Sequence, residues 1–389
     1  MVRLTNKRIY LDYNSTSPLA PSVKEWLAKG DFVFANPASV HTSGKQTNRY
    51  INETSEYLCH LFGNSTAQFE LLFHSGGTEG INTFIKGFAA QKQLEGQAID
   101  FYYTSTDHSS VKATAKYLAD RGHRTHIIPV DSNGNFDDQI LIEKMNQSPG
   151  PVLYNFTSVN NETGVQFKLQ RAEKIKEATG CKVHVDAVQA IGKVEGWQAL
   201  SEGLDAYTFS AHKFGAMKGV GFSFFKKQFQ FLPLIEGGGQ QNGHRAGTEN
   251  AMGIYSVFLA LREMVESQQL VKLKEAKELF EDRFLNLVGT KGQIIAHTGS
   301  RNSNTTNLIL DGINSQTSAA AFDMAGIDVS IGPACSSGVN EPSPVLLAMG
   351  YSEQQALSAL RLSFSPYFDN IELDHTWQAV SNVLTGLIK

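Results

Sequence analysis

The sequence predicts an α/β fold, a mostly parallel central sheet flanked by helices, followed by a smaller α+β domain. Three observations carry this. Between Gln68 and Phe225 short apolar runs alternate with amphipathic stretches, the pattern of a buried sheet whose crossovers lay helices on both faces. After Gly253 the alternation gives way to a long helical pattern and then to short strands spaced among helices. The chain has 389 residues, more than a single hydrophobic core usually serves, so two domains are expected. Residues 15–260 are assigned to the large domain, and 1–14 with 261–389 to the small one.

In order along the chain, residues 69–73, 99–104, 127–130, 152–156, 183–186, 206–209 and 220–225 read as strands. Helical periodicity fills most of the gaps, at 81–93, 111–119, 140–145 and 169–178. The pattern over 254–288 predicts a long helix that bridges to the second domain. Short strands follow near Ile294, at 308–310 and at 362–364, with helices at 318–325, 352–360 and 373–387. Internal repeats and low-complexity tracts are absent from the sequence, which sets aside solenoids and flexible linkers.

Charged residues at 19% and hydrophobic residues at 41% fit a globular enzyme and not a disordered chain. A net charge of -4 offers no footprint for nucleic acid or an anionic membrane, and neither is expected as a partner. The three cysteines, Cys59, Cys181 and Cys335, are too few and scattered for a disulfide framework, so a reducing compartment is expected. The polar, basic start and the lack of a bilayer-length apolar run predict a cytoplasmic protein.

The candidate chemistry lies at strand ends, where ligands collect in sheets of this kind. Asp186 closes the run 183–186, and Lys213 ends Ser210-Ala211-His212-Lys213 just after 207–209. Taken singly, such an aspartate is usually a turn former or helix cap, and such a lysine is usually solvated. Together they are the pair a pyridoxal phosphate enzyme needs. The lysine amine forms a Schiff base with the cofactor aldehyde, and the carboxylate keeps the pyridine nitrogen protonated so that the ring accepts electrons. Ser75-Gly76-Gly77-Thr78-Glu79-Gly80 follows the first strand and opens a helix. Glycines admit close backbone approach and helix N-terminal N–H groups bind anions, so this turn can cradle a phosphate. Ser210 and His212 can add hydrogen bonds to it. Thr106-Asp107-His108-Ser109, at another strand-to-helix junction, has two readings of equal standing. One is a capping segment with Asp107 or Ser109 as N-cap; the other puts the His108 imidazole over the cofactor ring, relaying protons. The polar turn Asn160-Asn161-Glu162-Thr163-Gly164 can orient a ring hydroxyl, and Gln189, about one helical turn beyond Asp186, can reach the ring.

In order, these segments resemble the cysteine desulfurase branch of the class V aminotransferase group, which has the type I pyridoxal phosphate fold. The likeness runs from Tyr10-Leu11-Asp12-Tyr13 and Asn36-Pro37-Ala38-Ser39 through the motifs above. It continues through Gly237-Gly238-Gly239, Arg245-Ala246-Gly247-Thr248, Ala334-Cys335-Ser336 and Glu341-Pro342-Ser343 to Arg361-Leu362-Ser363, essentially the whole chain. The resemblance implies that Lys213 holds the cofactor, Asp186 pairs with the pyridine nitrogen and His108 stacks on the ring. It implies that Asn161 and Gln189 address the ring oxygen, and that Gly77, Thr78, Ser210 and His212 bind the phosphate, with Thr248 reaching it from the second subunit of a homodimer. Asn36 and Arg361 would bind the substrate carboxylate, a role that the planar fork of an arginine suits.

Cys335 lies among small residues, Ser330-Ile331-Gly332-Pro333-Ala334-Cys335-Ser336-Ser337-Gly338, where an accessible loop is expected; structural cysteines are normally packed among large apolar side chains. By resemblance it takes sulfur from L-cysteine as a persulfide, leaving alanine, and passes it to an acceptor for iron-sulfur cluster assembly or other sulfur delivery. Cys59 and Cys181 read as packing residues. Two departures from the family pattern stand out: Gly215-Ala216-Met217-Lys218-Gly219 lacks the usual proline after the lysine, and Gln240-Gln241-Asn242 replaces more charged residues. The sequence reaches Lys389 soon after its last predicted helix, without the longer tail that some members use to dock a scaffold protein, which leaves scaffold delivery open. The alternatives are selenocysteine lyase or another class V reaction on the same equipment, and, from a different class, a non-catalytic sulfur-carrier or scaffold protein. Retention of Lys213 and Asp186 disfavours the last.

Overall fold

The computed structural model describes residues 8–30, 32–63, 68–267, 269–332 and 341–389. After β1 (Ile9–Tyr10), α1 (Pro21–Lys29) and α2 (Thr42–Leu61), the chain alternates strand and helix: β2 (Phe69–His74), α3 (Gly77–Leu94), β3 (Asp100–Thr104), α4 (Ser109–Ala119), β4 (Arg124–Ile128), α5 (Asp138–Asn146), β5 (Val152–Thr157), α6 (Leu169–Thr179) and β6 (Lys182–Asp186). β7 (Ala206–Ser210) and β8 (Gly221–Lys226) complete a seven-stranded sheet in the order β2-β8-β7-β6-β5-β3-β4. β4, β3, β5, β6 and β7 pair in parallel. β8 runs antiparallel to both β7 and β2, because the turn between β7 and β8 is too short for a crossover. Helices cover the sheet, so β3 and β7 are buried at every position. The expected strand at 127–130 begins earlier, at Arg124, because Arg124 and His126 both reach the buried Asp100, an anchor that an apolar pattern does not show.

The expected single helix over 254–288 is two helices, α7 (Ala251–Ser267) and α8 (Leu270–Val288). The break has a packing cause. Ile254, Val257 and Leu261 of α7 join the core beneath the large sheet, whereas Leu273, Ala276 and Phe280 of α8 join a separate core with Leu11, Leu308, Leu360 and Val380. One straight axis cannot direct its apolar stripe into both. That second core lies under the sheet β12-β10-β9, made by β9 (Gly292–Ile294), β10 (Thr305–Leu310) and β12 (Ala359–Ser363) in antiparallel pairing. It is flanked by α9 (Ser315–Met324), α10 (Pro344–Ala348), α11 (Glu353–Leu357) and α12 (Asn370–Leu387). The helix expected at 352–360 stops at Leu357 because Ala359 and Leu360 pair with β10. β11 (Ile327–Asp328) pairs with β1, returning the N-terminal segment to the C-terminal half. Among the described residues no helix is long and apolar enough to cross a membrane.

Candidate active site

Two adjoining cavities open beyond the carboxyl ends of the parallel strands. The first, about 220 Å³, is lined by Asp186, Gln189, Ser210, His212 and Lys213 from the ends of β6 and β7, by Gly77 and Thr78 at the start of α3, and by His108 and Asn161. The second, about 330 Å³, shares Lys213, His108 and Asn161 with the first and adds Arg361, Lys112 and Glu162. Nine of the residues singled out from the sequence thus meet in the first cavity and a tenth, Arg361, in its neighbour. Asn36 and Thr248 line neither; both are exposed, and Asn36 Oδ1 accepts the Ala38 N–H at 2.9 Å. Cys335 lies outside the described residues.

Lys213 ends a single 3-10 turn immediately after β7. Its Nζ donates to the backbone carbonyls of Asn14 and Ser15 at 2.7 and 2.8 Å. Burial, reinforced by the Arg361 cation and opposed by Asp12 and Asp186, pushes its pKa down to about 8. A substantial neutral fraction near neutral pH makes the amine a nucleophile and a base. Asp186 ends β6, and its Oδ1 accepts the Val188 N–H at 3.1 Å. Burial pushes its carboxyl up to about 6. A buried carboxylate so poised gains from a cation placed against it.

The turn into α3 is shaped for an anion. Gly76, at the N-cap, offers no side chain to the free N–H groups of the first helical turn. Glu79 stiffens the loop, accepting the Ser75 N–H at 2.8 Å and Arg245 Nε at 2.9 Å. A Cβ at Gly77 would lie 2.7 Å from Val188 Cγ2, another lining atom, so only glycine lets the turn close on this cavity.

At the α4 junction neither Asp107 nor Ser109 is the cap. The cap is His108 itself, whose Nδ1 accepts the Ser110 N–H at 3.1 Å. Its neutral ring therefore carries the proton on Nε2. Burial, then repulsion by Lys213 and Lys112, lowers its pKa and keeps the ring neutral. His108 thus both caps the helix and lines the cavity. Asp107 is buried instead, accepting from Thr104 Oγ1 at 2.6 Å and Asn155 Nδ2 at 2.9 Å.

Asp107 terminates a polar belt that crosses the sheet under the site. The Gly76 N–H donates to His74 Nδ1 at 3.3 Å, which leaves the His74 Nε2–H for Ser223 Oγ at 2.8 Å. Ser223 then donates to Thr208 Oγ1 at 3.1 Å, and Thr208 to His184 Nε2 at 2.8 Å. The His184 Nδ1–H is left for Asn155 Oδ1 at 2.8 Å, and Asn155 donates to Asp107. Because the first group is a fixed donor and the last a carboxylate, every hydrogen in between has one direction. Burial supports this by pushing His74 to about 4 and His184 to about 3, so both rings are neutral at physiological pH. In the sequence His184 stands only within the strand run 183–186; nothing there marks Asn155, Thr208, Ser223 or His74 as its partners.

The opposite wall belongs to β12 and the segment after β1. Arg361 Nη2 donates to Asp12 Oδ1 at 2.6 Å and to Ser15 Oγ at 2.8 Å, and Nη1 to the Asn161 carbonyl at 3.1 Å. Its buried Nε has no protein partner among the described residues. Asn14, 1% exposed, is the hub. Its N–H donates to Ser363 Oγ, its Nδ2 to Thr305 Oγ1, and its carbonyl accepts from both Gln189 Nε2 and Lys213 Nζ. The sequence reading missed Asn14 and Ser15; the one available signal was their position directly after Tyr10-Leu11-Asp12-Tyr13.

The model of the family described as "Aminotransferase class-V" matches residues 9–375. A cysteine desulfurase of Cereibacter sphaeroides is 34% identical over 384 residues, covering 98% of this chain and 97% of its own. Another, of Bradyrhizobium diazoefficiens, is 35% identical over 384 residues, with 97% and 95% covered. The chain belongs to the cysteine desulfurase family. Its fold agrees: the X-ray structure of a NifS-like protein from Rickettsia africae superposes with a TM-score of 0.82 at 28% identity, over 97% of this chain and 100% of that one. Cysteine desulfurases are pyridoxal phosphate-dependent sulfurtransferases of class V. The first cavity fits that group: a buried carboxylate, a depressed lysine and a glycine cradle at a helix start converge on it.

Proposed function

We propose that the two cavities are the cofactor and substrate halves of one site, in which Cys335 takes the sulfur of L-cysteine. The observation that carries this reading is the position of Lys213, common to the cavity that holds Asp186 and to the one that holds Arg361. Pyridoxal phosphate, when bound, would supply an electron sink for the pair left when the C–H bond at the substrate α-carbon breaks. Asp186 holds the ring-nitrogen proton, and the N–H groups at Gly77 and Thr78, with Ser210 and His212, hold the phosphate. Asn161 and Gln189 would address the ring oxygen, and His108 would stack on the ring. Lys213, the attachment point, moves the α-proton in its neutral form. Arg361 and Asn36 bind the substrate carboxylate; Arg361 Nε is the guanidinium nitrogen without a protein partner among the described residues. The His108 Nε2–H would donate to the sulfur of the bound substrate.

The sulfur then leaves carbon for the Cys335 thiolate, so that L-cysteine and a thiol become L-alanine and a persulfide, with no external oxidant. Ser330 and Gly332 line the second cavity, and Ser330 exchanges both backbone hydrogen bonds with Arg361 at 3.1 and 2.8 Å. We further assign Thr248, exposed here, to the phosphate of a second copy, which makes the working unit a homodimer with a sulfur-acceptor protein as onward partner.

Incubation with L-cysteine followed by mass spectrometry tests the reading. Sulfide, alanine and a persulfide on Cys335, and not on Cys59 or Cys181, are expected. The Cys335→Ala variant should keep the bound-cofactor absorption and exchange of the α-proton but lose sulfide release. Undiminished sulfide release by that variant would overturn the assignment.

A further inference from the structure

Lys193 is 2% exposed, rare for a lysine, and no step above uses it. Its Nζ donates to Gln189 Oε1 and, at 3.2 Å, to Asn14 Oδ1. Gln189 Nε2 in turn donates to the Asn14 carbonyl at 2.9 Å. The Asn14 carbonyl can only accept, so the carboxamide atom turned toward it is nitrogen and the one turned toward Lys193 is oxygen. The carboxamide nitrogen carries two N–H bonds: one is taken by Asn14, and the other remains for the cavity that Gln189 lines. Keeping a lysine here is costly. Burial, then repulsion by Lys213 and Arg361, holds its pKa well below the usual lysine value, and a methionine would fill similar space without that penalty.

We propose that Lys193 is a positioning residue acting through Gln189: it occupies the carboxamide oxygen so that an N–H faces the cavity, matched to a ring bearing an ionised oxygen. This rests on the reading of the first cavity as a pyridoxal phosphate site. A donor at that oxygen stabilises its negative charge and weakens its hold on a neighbouring proton, so it lowers the pH at which the bound cofactor's absorption titrates. Without Lys193 the carboxamide oxygen is buried without a donor, and the side chain turns to find one, withdrawing the N–H.

Spectrophotometric pH titration of the holoenzyme tests this without reference to turnover. Gln189→Ala should raise the midpoint by about one pH unit, the scale of one hydrogen bond to a charged oxygen. Lys193→Met should raise it by most of that amount. The double variant should move no further than Gln189→Ala alone, because one residue acts through the other. A parent-like midpoint for Lys193→Met beside a shifted Gln189→Ala overturns the proposal, as does an additive double variant. An unmoved midpoint in Gln189→Ala instead overturns the placement of Gln189 against the ring oxygen, and the proposal with it. If Lys193→Met does not fold, Lys193→Gln decides, since it keeps an N–H donor: a parent-like midpoint supports the proposal, and a midpoint at the Gln189→Ala value overturns it.

Discussion

On the sheet side of the active site each functional side chain hangs from a strand end beside the motif that announces it: Asp186 closes β6, Lys213 follows β7, and the Gly77 turn follows β2. The wall facing it is assembled from segments as distant as Asn14 and Ser363, 349 residues apart, joined through side chains. The first wall owes its geometry to a parallel sheet, whose strand ends share one edge whatever the loops contain. The second exists only once β1 has paired with β11 and Asn14 has closed on Thr305, Asn304 and Ser363. The sheet wall should therefore govern cofactor chemistry, and the assembled wall substrate recognition and the tuning of Lys213.

The sharpest way to break this division is Asp186→Ala. On the role proposed for Asp186, loss of a charge that would keep the ring nitrogen protonated should weaken cofactor retention and slow α-proton exchange from L-cysteine by roughly 10³-fold, about 4 kcal/mol in the barrier. Deuterium exchange followed by NMR measures this, and exchange at the parent rate would remove Asp186 from the electron sink. On the assembled wall, Arg361→Lys should leave cofactor absorption unchanged and lower kcat/KM for L-cysteine by about 30-fold or more, because a point cation cannot replace a fork that also bridges Asp12 and Asn161. A comparable loss of cofactor would show that the walls are not separable.

The coupling between the walls appears at Lys213. Only the neutral amine attacks an aldehyde, so reconstitution of the cofactor-free protein with pyridoxal phosphate should quicken as pH rises from 6 and level off above the lysine pKa, near pH 8. Since Arg361 depresses that pKa, Arg361→Gln should move the midpoint upward; stopped-flow absorbance across the pH range reads it. A midpoint unchanged by the substitution would place the control in burial alone. The smallest effect is expected from Thr208→Val, which interrupts the belt between Ser223 and His184 without touching the cavity lining. It should cost about 1–2 kcal/mol in urea unfolding while leaving kcat for L-cysteine near the parent value.

Much of this site was legible before folding, for a physical reason that also marks the limit. Strand-to-helix turns place a residue by local geometry, so the sequence put Asp186, Lys213, Gly77, Thr78 and His108 at strand ends, while their roles came from the combination of motifs. The cap at His108 was misread as Asp107 or Ser109 because a hydrogen bond to the Ser110 N–H depends on a side-chain rotation that packing selects. The break between α7 and α8 was missed because both halves carry helical periodicity, and only the presence of two cores requires two axes. By itself the sequence determined the strand-helix alternation, the edge of the sheet where chemistry collects and the residue types offered there, since these follow from periodicity and the fixed geometry of parallel strands. Tertiary structure alone decided that Asn14 joins Lys213, Gln189 and the C-terminal sheet, that Lys193 is buried against Gln189, and that Arg361 faces Asp12. Hydrogen bonds between residues far apart in sequence leave no local pattern, and form only when the hydrophobic cores have brought their backbones together.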